Sequence, residues 1–272
     1  MGNLIRAEFY RIRCQRWGVL ALAGVLLGGV LLLAAACALP PQRGDAALLF
    51  QTIEYSAILG MFFAMLCADL ASARVNGKQV LLKNEAVFGI SRWQMYLSRL
   101  CTAVLLGVAL VLAMTLLALV LTLLFLPGLG ELPGVLSQYA LLMFTALPLW
   151  MASAGLFLCL KFVCRSGAMA GFLQAAYYFI GFPILGAVVT SVPRGGGDGF
   201  LGSLLYNLHP MTPFWNGDMV VEHISTGVSI TMDPESFVDA PPPLLHCWAL
   251  GAVWLIASSA LAVWVLQRRE LR

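Results

Sequence analysis

Charge is what this sequence has least of. Asp, Glu, Lys and Arg together make up 11% of its 272 residues, while hydrophobic residues reach 61%. Soluble domains carry about 25% charged residues. A water-soluble fold has no way to hide this much apolar surface, which excludes a soluble globular protein and points to a polytopic membrane protein in the lipid bilayer. The formal net charge is only +3, divided among short segments, so no broad basic face is offered to a nucleic acid.

Chemistry is scarce as well. There is no G-x-x-x-x-G-K-[ST] phosphate loop: Gly77-Lys78 is followed by Gln79, and Ser72 stands where the first glycine should be. Any ATP-driven work therefore needs a nucleotide site on another chain, and the chain by itself reads as a non-enzyme. The seven cysteines are scattered without C-x-x-C or other metal-ligand spacing, and most sit in or beside apolar runs, where a thiol acts as a small hydrophobe. The three histidines, His209, His223 and His246, form no recognisable metal set and fall away from Ser153, which would need a base at its own depth to act as a nucleophile. We expect no cofactor or metal on this chain. A proton- or ion-coupled carrier would show several carboxylates within its spans, and Glu54 is the main candidate for such a group.

What the sequence does have is long apolar runs. Six read as transmembrane helices, over about 17–39, 48–71, 100–126, 138–160, 166–192 and 246–266. Before them, Ile5, Phe9 and Ile12 recur at i, i+4, i+7 among Arg6, Arg11, Arg13 and Arg16, the pattern of an amphipathic helix lying in the membrane surface. Pro148 should kink span 4. Gly24, Gly28, Gly167 and Gly171 offer places for close helix contact, and Gly181, Pro183 and Gly186 weaken the far half of span 5. Residues 193–245 form the largest region outside the spans; Pro210, Pro213 and a triple proline at 241–243 break it into pieces too short to cross a bilayer.

Lys and Arg fix the expected topology. All but Arg43 and Arg194 fall in the N-terminal segment, the stretch between spans 2 and 3, the turn between spans 4 and 5, or the C-terminal tail. With six spans and both termini cytoplasmic in the cell membrane, the positive-inside rule is obeyed throughout. Glu54 then sits a turn or two inside the outer boundary. The 193–245 region carries Asp198, Asp218, Glu222, Asp233, Glu235 and Asp239 against Arg194 alone. That acidic balance suits a cationic amphipathic peptide as an outer contact, through residues such as Asp218 and Glu222.

The stretch between spans 2 and 3 is the longest polar, basic interruption. Within it, residues 79–88 read as a short amphipathic helix, with Val80, Leu81, Leu82, Val87 and Phe88 apolar and Lys83, Asn84 and Glu85 polar. It is followed by Gly89-Ile-Ser-Arg92 and Tyr96-Leu-Ser-Arg99. This pattern, with the six-span layout, resembles the ABC-2 type transporter permeases, and locally the permease subunits of bacitracin and lantibiotic-resistance exporters. Arg99 stands here where lysine is commoner in those proteins.

The resemblance implies one all-α transmembrane domain over 1–272, with an interfacial N-terminal helix, a cytoplasmic coupling helix between spans 2 and 3 and a broken outer segment between spans 5 and 6. It implies that Lys78, Gln79, Lys83, Glu85, Val87, Phe88 and Arg92 contact a separate ABC ATPase subunit, which holds ATP and Mg. It implies that a second permease chain, identical or related, completes the path, and that the cargo is a peptide antibiotic or another amphipathic compound. The competing expectation is a non-transporting membrane sensor or scaffold that binds a cytoplasmic partner through the same inner helix.

Overall fold

The computed structural model describes residues 2–38, 45–72, 89–125, 132–164, 166–191, 204–214 and 244–268. Among these the protein is all-helical, without a strand. Helix α1 (Gly2–Cys14) is followed directly by α2 (Arg16–Ala38), then α3 (Asp45–Ala71), α4 (Arg92–Phe125) and α5 (Leu132–Cys164). Helix α6 (Gly167–Ala176) passes through a π turn (Tyr177–Gly181) into α7 (Phe182–Ser191). A short segment over 204–214 ends in the 3-10 turn Thr212–Phe214, and α8 (Leu244–Arg268) closes the described chain.

Four stretches are long and apolar enough to cross a membrane: Arg92–Leu117, Ala140–Cys164, Gly167–Ala187 and Leu244–Arg268. They correspond to the third to sixth expected spans. The first two expected spans fall on α2 and α3, of 23 and 27 residues, whose described apolar portions are the shorter Gly18–Gly29 and Ile58–Ala71. Leu105, Leu112 and Leu116 on α4, Phe172 on α6 and Ile256 on α8 stand on the outside, each more than half exposed. A belt of such side chains is costly in water and compatible with lipid.

Helix starts follow local chemistry. Gly89 has φ +76, the left-handed region that glycine occupies without a Cβ clash. Two residues on, the Ser91 Oγ accepts from the Gln94 backbone N–H (3.3 Å) and the Gln94 Oε1 accepts from the Ser91 N–H (3.2 Å), a reciprocal capping box. Helix α4 therefore begins at Arg92, eight residues before the expected start of span 3. Ser166 caps α6 in the same manner, accepting from the Met169 N–H. At its other end α5 runs on through Lys161, which the sequence reading placed in a loop.

The core lies where α3, α4, α5 and α8 meet; the most extensive pairings are α5 with α8 and α3 with α4, and α5 is the most enclosed helix. Met61, Ala64, Cys67 and Ala68 of α3 are essentially buried, as are Met95, Tyr96 and Ala103 of α4 and Leu149, Ala154 and Leu158 of α5. Of the glycines expected to allow close contact, Gly167 does so, an added Cβ there falling 2.5 Å from the Asp69 carboxylate, while the backbone-to-backbone approaches are made by others. A Cβ on Gly107 would lie 3.2 Å from the Ala64 Cα, and one on Gly251 would lie 2.7 Å from the Pro148 carbonyl carbon. Gly24 and Gly28 have nothing within 4 Å, and Gly171 has only an ordinary contact with Phe157.

Candidate functional site

Five helix ends and α1 converge at one end of the bundle. The C-terminal ends of α3, α5 and α8 meet the N-terminal ends of α4 and α6, and α1 packs against α4, α2 and α3. A helix C-terminus leaves its last carbonyls without intrahelical partners and carries partial negative charge. Basic side chains answer the ends of α3 and α8. The Arg11 guanidinium donates to the Ala71 carbonyl at the end of α3. The Lys161 Nζ donates to the Asp69 carbonyl (3.1 Å) and pairs with its carboxylate (2.5 Å). The Arg92 guanidinium donates to the Leu266 carbonyl in the last turn of α8. Such cation-to-terminus contacts contribute about 0.3–1 kcal/mol each when exposed, and up to about 2 when partly buried.

One carboxylate sits inside this basic cluster. Glu8 of α1 is 6% exposed and ion-pairs with Arg11 one turn along and with Arg99 of α4 at 3.5 Å, where Arg99 is 2% exposed. Ile12, one turn after Glu8, is buried with it. The inward face of α1 is thus Glu8 and Ile12, with Ile5 and Phe9 half-buried beside them, and it rests on protein. Arg6, Tyr10 and Arg13 form the exposed stripe, Tyr10 at 71%. The sequence reading missed Glu8 because a lone acid among four arginines looked like a solvated residue. Its helical spacing from Ile12 was the available signal.

Both ends of the chain on either side of residues 73–88 are gripped here. Arg11 and Lys161 hold the end of α3, and Ser72 caps it by donating to the Ala68 carbonyl (2.7 Å). Arg92 and Arg99 tie the start of α4 to α8 and α1. Of the residues expected to contact an ATPase subunit, Arg92 is placed at the first position of α4; Lys78, Gln79, Lys83, Glu85, Val87 and Phe88 lie outside the described residues, as do Asp218 and Glu222. Glu54 lies on α3, its side chain outside the described set.

Deeper in the bundle there is a second polar group. The Ser153 hydroxyl donates to the Met61 carbonyl (2.9 Å), and the Gln174 amide donates to the Ser153 carbonyl (3.0 Å) and reaches Ser153 Oγ and the Tyr178 hydroxyl. These contacts tie α3, α5 and α6 together by hydrogen bonds in an apolar setting. Among the described residues no base is bonded to Ser153, and its contacts tie helices together. Beside Tyr178, His209 is fully buried against the π turn. Among the described residues no three His, Cys, Asp or Glu side chains stand close enough to hold a metal ion.

Comparison with protein-family models and with curated proteins finds no match. The functional reading therefore rests on the sequence pattern and on this geometry.

Proposed function

We propose that the protein is the transmembrane permease subunit of an ATP-binding cassette exporter, with six spans and both termini in the cytoplasm of the cell that carries it. ATP hydrolysis on a partner subunit would drive export of, or protection against, peptide antibiotics or other amphipathic compounds. The observation that carries the reading is the double anchoring around residues 73–88. A segment that transmits force from a partner must join helices that move as rigid bodies, and both flanks here are fixed by charged contacts to other helices. The gathering of α1, the end of α8 and the basic clusters at one end supports a single cytoplasmic face. Helices α2 and α3, with the four longer apolar stretches, support the count of six.

In this reading residues 79–88 dock on the ATPase subunit, with Lys83 and Glu85 as polar and Val87 and Phe88 as apolar contacts, and Arg92 anchors the return into the bilayer. A second permease chain supplies the other half of the path. Glu85→Arg or Phe88→Asp is expected to abolish co-purification with the ATPase subunit while leaving membrane insertion intact; unchanged co-purification would remove the basis of the proposal. Stimulation of ATPase activity by a cationic peptide in the reconstituted complex separates an exporter from a non-transporting sensor using the same inner helix.

A further inference from the structure

The segment 204–214 is seated on the bundle by one side chain that works only when neutral. His209 is fully buried. Its Nδ1 accepts from the Met211 backbone N–H at 3.2 Å, which requires a bare lone pair there. The proton of the neutral ring is therefore on Nε2, which donates to the Tyr177 carbonyl in the π turn at 3.2 Å. Three aromatic rings enclose the imidazole: Tyr177 at 4.3 Å, Phe182 at 5.1 Å and Tyr178 at 6.1 Å between centroids. The segment has other ties as well. Thr212 donates to the Tyr206 carbonyl within it, Tyr206 stacks on Phe182, and the Trp254 indole of α8 donates to the Leu208 carbonyl at 2.7 Å.

We infer that His209 is an acid-released catch, holding segment 204–214 against the π turn near neutral pH and letting it go when the imidazole gains a second proton. A protonated ring would point an N–H at the Met211 N–H, donor against donor. Among the described residues the titratable groups facing it are the phenols Tyr177 and Tyr178 from the π turn and Tyr206 from its own segment; no carboxylate or cation there is bonded to it. Burial accordingly holds the His209 pKa down, to about 4, against the partial opposing effect of the Tyr177 carbonyl. The sign follows: the seated form binds fewer protons than the released form, so seating is at full strength above the ordinary histidine value near 6.5 and weakens as pH falls towards 4. The π turn fits this use, since such turns recur where a helix serves a function.

The test uses the full chain in detergent or nanodiscs. Nitrogen-15 histidine NMR, with signals assigned by comparison with H209Q, is expected to show His209 as the Nε2–H tautomer at pH 7.5. Pulsed hydrogen exchange then compares wild type with H209Q at the same pH, which removes the intrinsic pH dependence of exchange. Gln can keep a donor and an acceptor at this position and cannot titrate. Between pH 7.5 and pH 5 the opening of 204–214 should rise roughly thirtyfold in wild type and stay flat in H209Q, with residues 244–268 protected throughout. Equal exchange in both proteins at pH 5, or loosening of the whole bundle together, would overturn the proposal. If H209Q does not fold, wild type alone decides: an imidazole that titrates near 6.5 while 204–214 stays protected also overturns it.

Discussion

At the residue scale the buried charges carry the most risk for the fold. Glu8 and Arg99 are both nearly inaccessible, and breaking a buried ion pair by removing one partner costs about 3–5 kcal/mol; Arg11 stays beside Glu8, so the loss of Arg99 should fall at the lower end. Glu8→Leu and Arg99→Met should each lower the unfolding free energy in detergent by about 3–5 kcal/mol, seen as a lower unfolding midpoint. The double variant should cost less than the sum, because it removes both charges at once. Additive losses would mean that the two residues act independently. Ser153 is a milder case. Ser153→Ala removes the donor to the Met61 carbonyl and one partner of Gln174, and an expected loss of about 1–2 kcal/mol would appear as a modest drop in the same midpoint.

At the element scale, helix contacts here are set by where one backbone can approach another. Helix α8 crosses α5 at Gly251, opposite the proline inside α5, and an added methyl would meet the Pro148 backbone at 2.7 Å. Backbone cannot swing aside as a flexible side chain can, so Gly251→Ala should destabilise by about 1–3 kcal/mol or more. Gly24→Ala, with nothing within 4 Å, should be neutral; comparing thermal aggregation of the two variants checks the contrast. The start of α4 is governed by a capping box rather than by hydrophobicity. Its sequence, Gly89-Ile-Ser-Arg92, is also the stretch that resembles exporter permeases, so part of that likeness has a purely local cause: a left-handed glycine followed by a helix cap.

For the whole molecule, the end that gathers α1, the cap of α3, Lys161 and the end of α8 is the one end where the described chain is rich in charge. If that end faces the cytoplasm, thiol labels at Asn3→Cys and at Arg272→Cys should react only after the membrane is permeabilised. A label that reacts at either site in intact cells would contradict the proposed topology. The proposed acid-released catch lies away from that end, where His209 packs among aromatic rings against the π turn.

The sequence by itself determined that the chain is helical and apolar and roughly where its long helices run. These properties depend on composition and on neighbours within a few turns, so they are written in local order. It also showed the arginines, but not what they touch. Only the tertiary structure decided that Glu8 turns inward to Arg99, that Arg11 and Arg92 close the ends of α3 and α8, and that Gly107 and Gly251 are points where a helix meets another helix's backbone. Each of these joins residues far apart along the chain, and a single side chain's best partner among many is fixed by how whole helices pack.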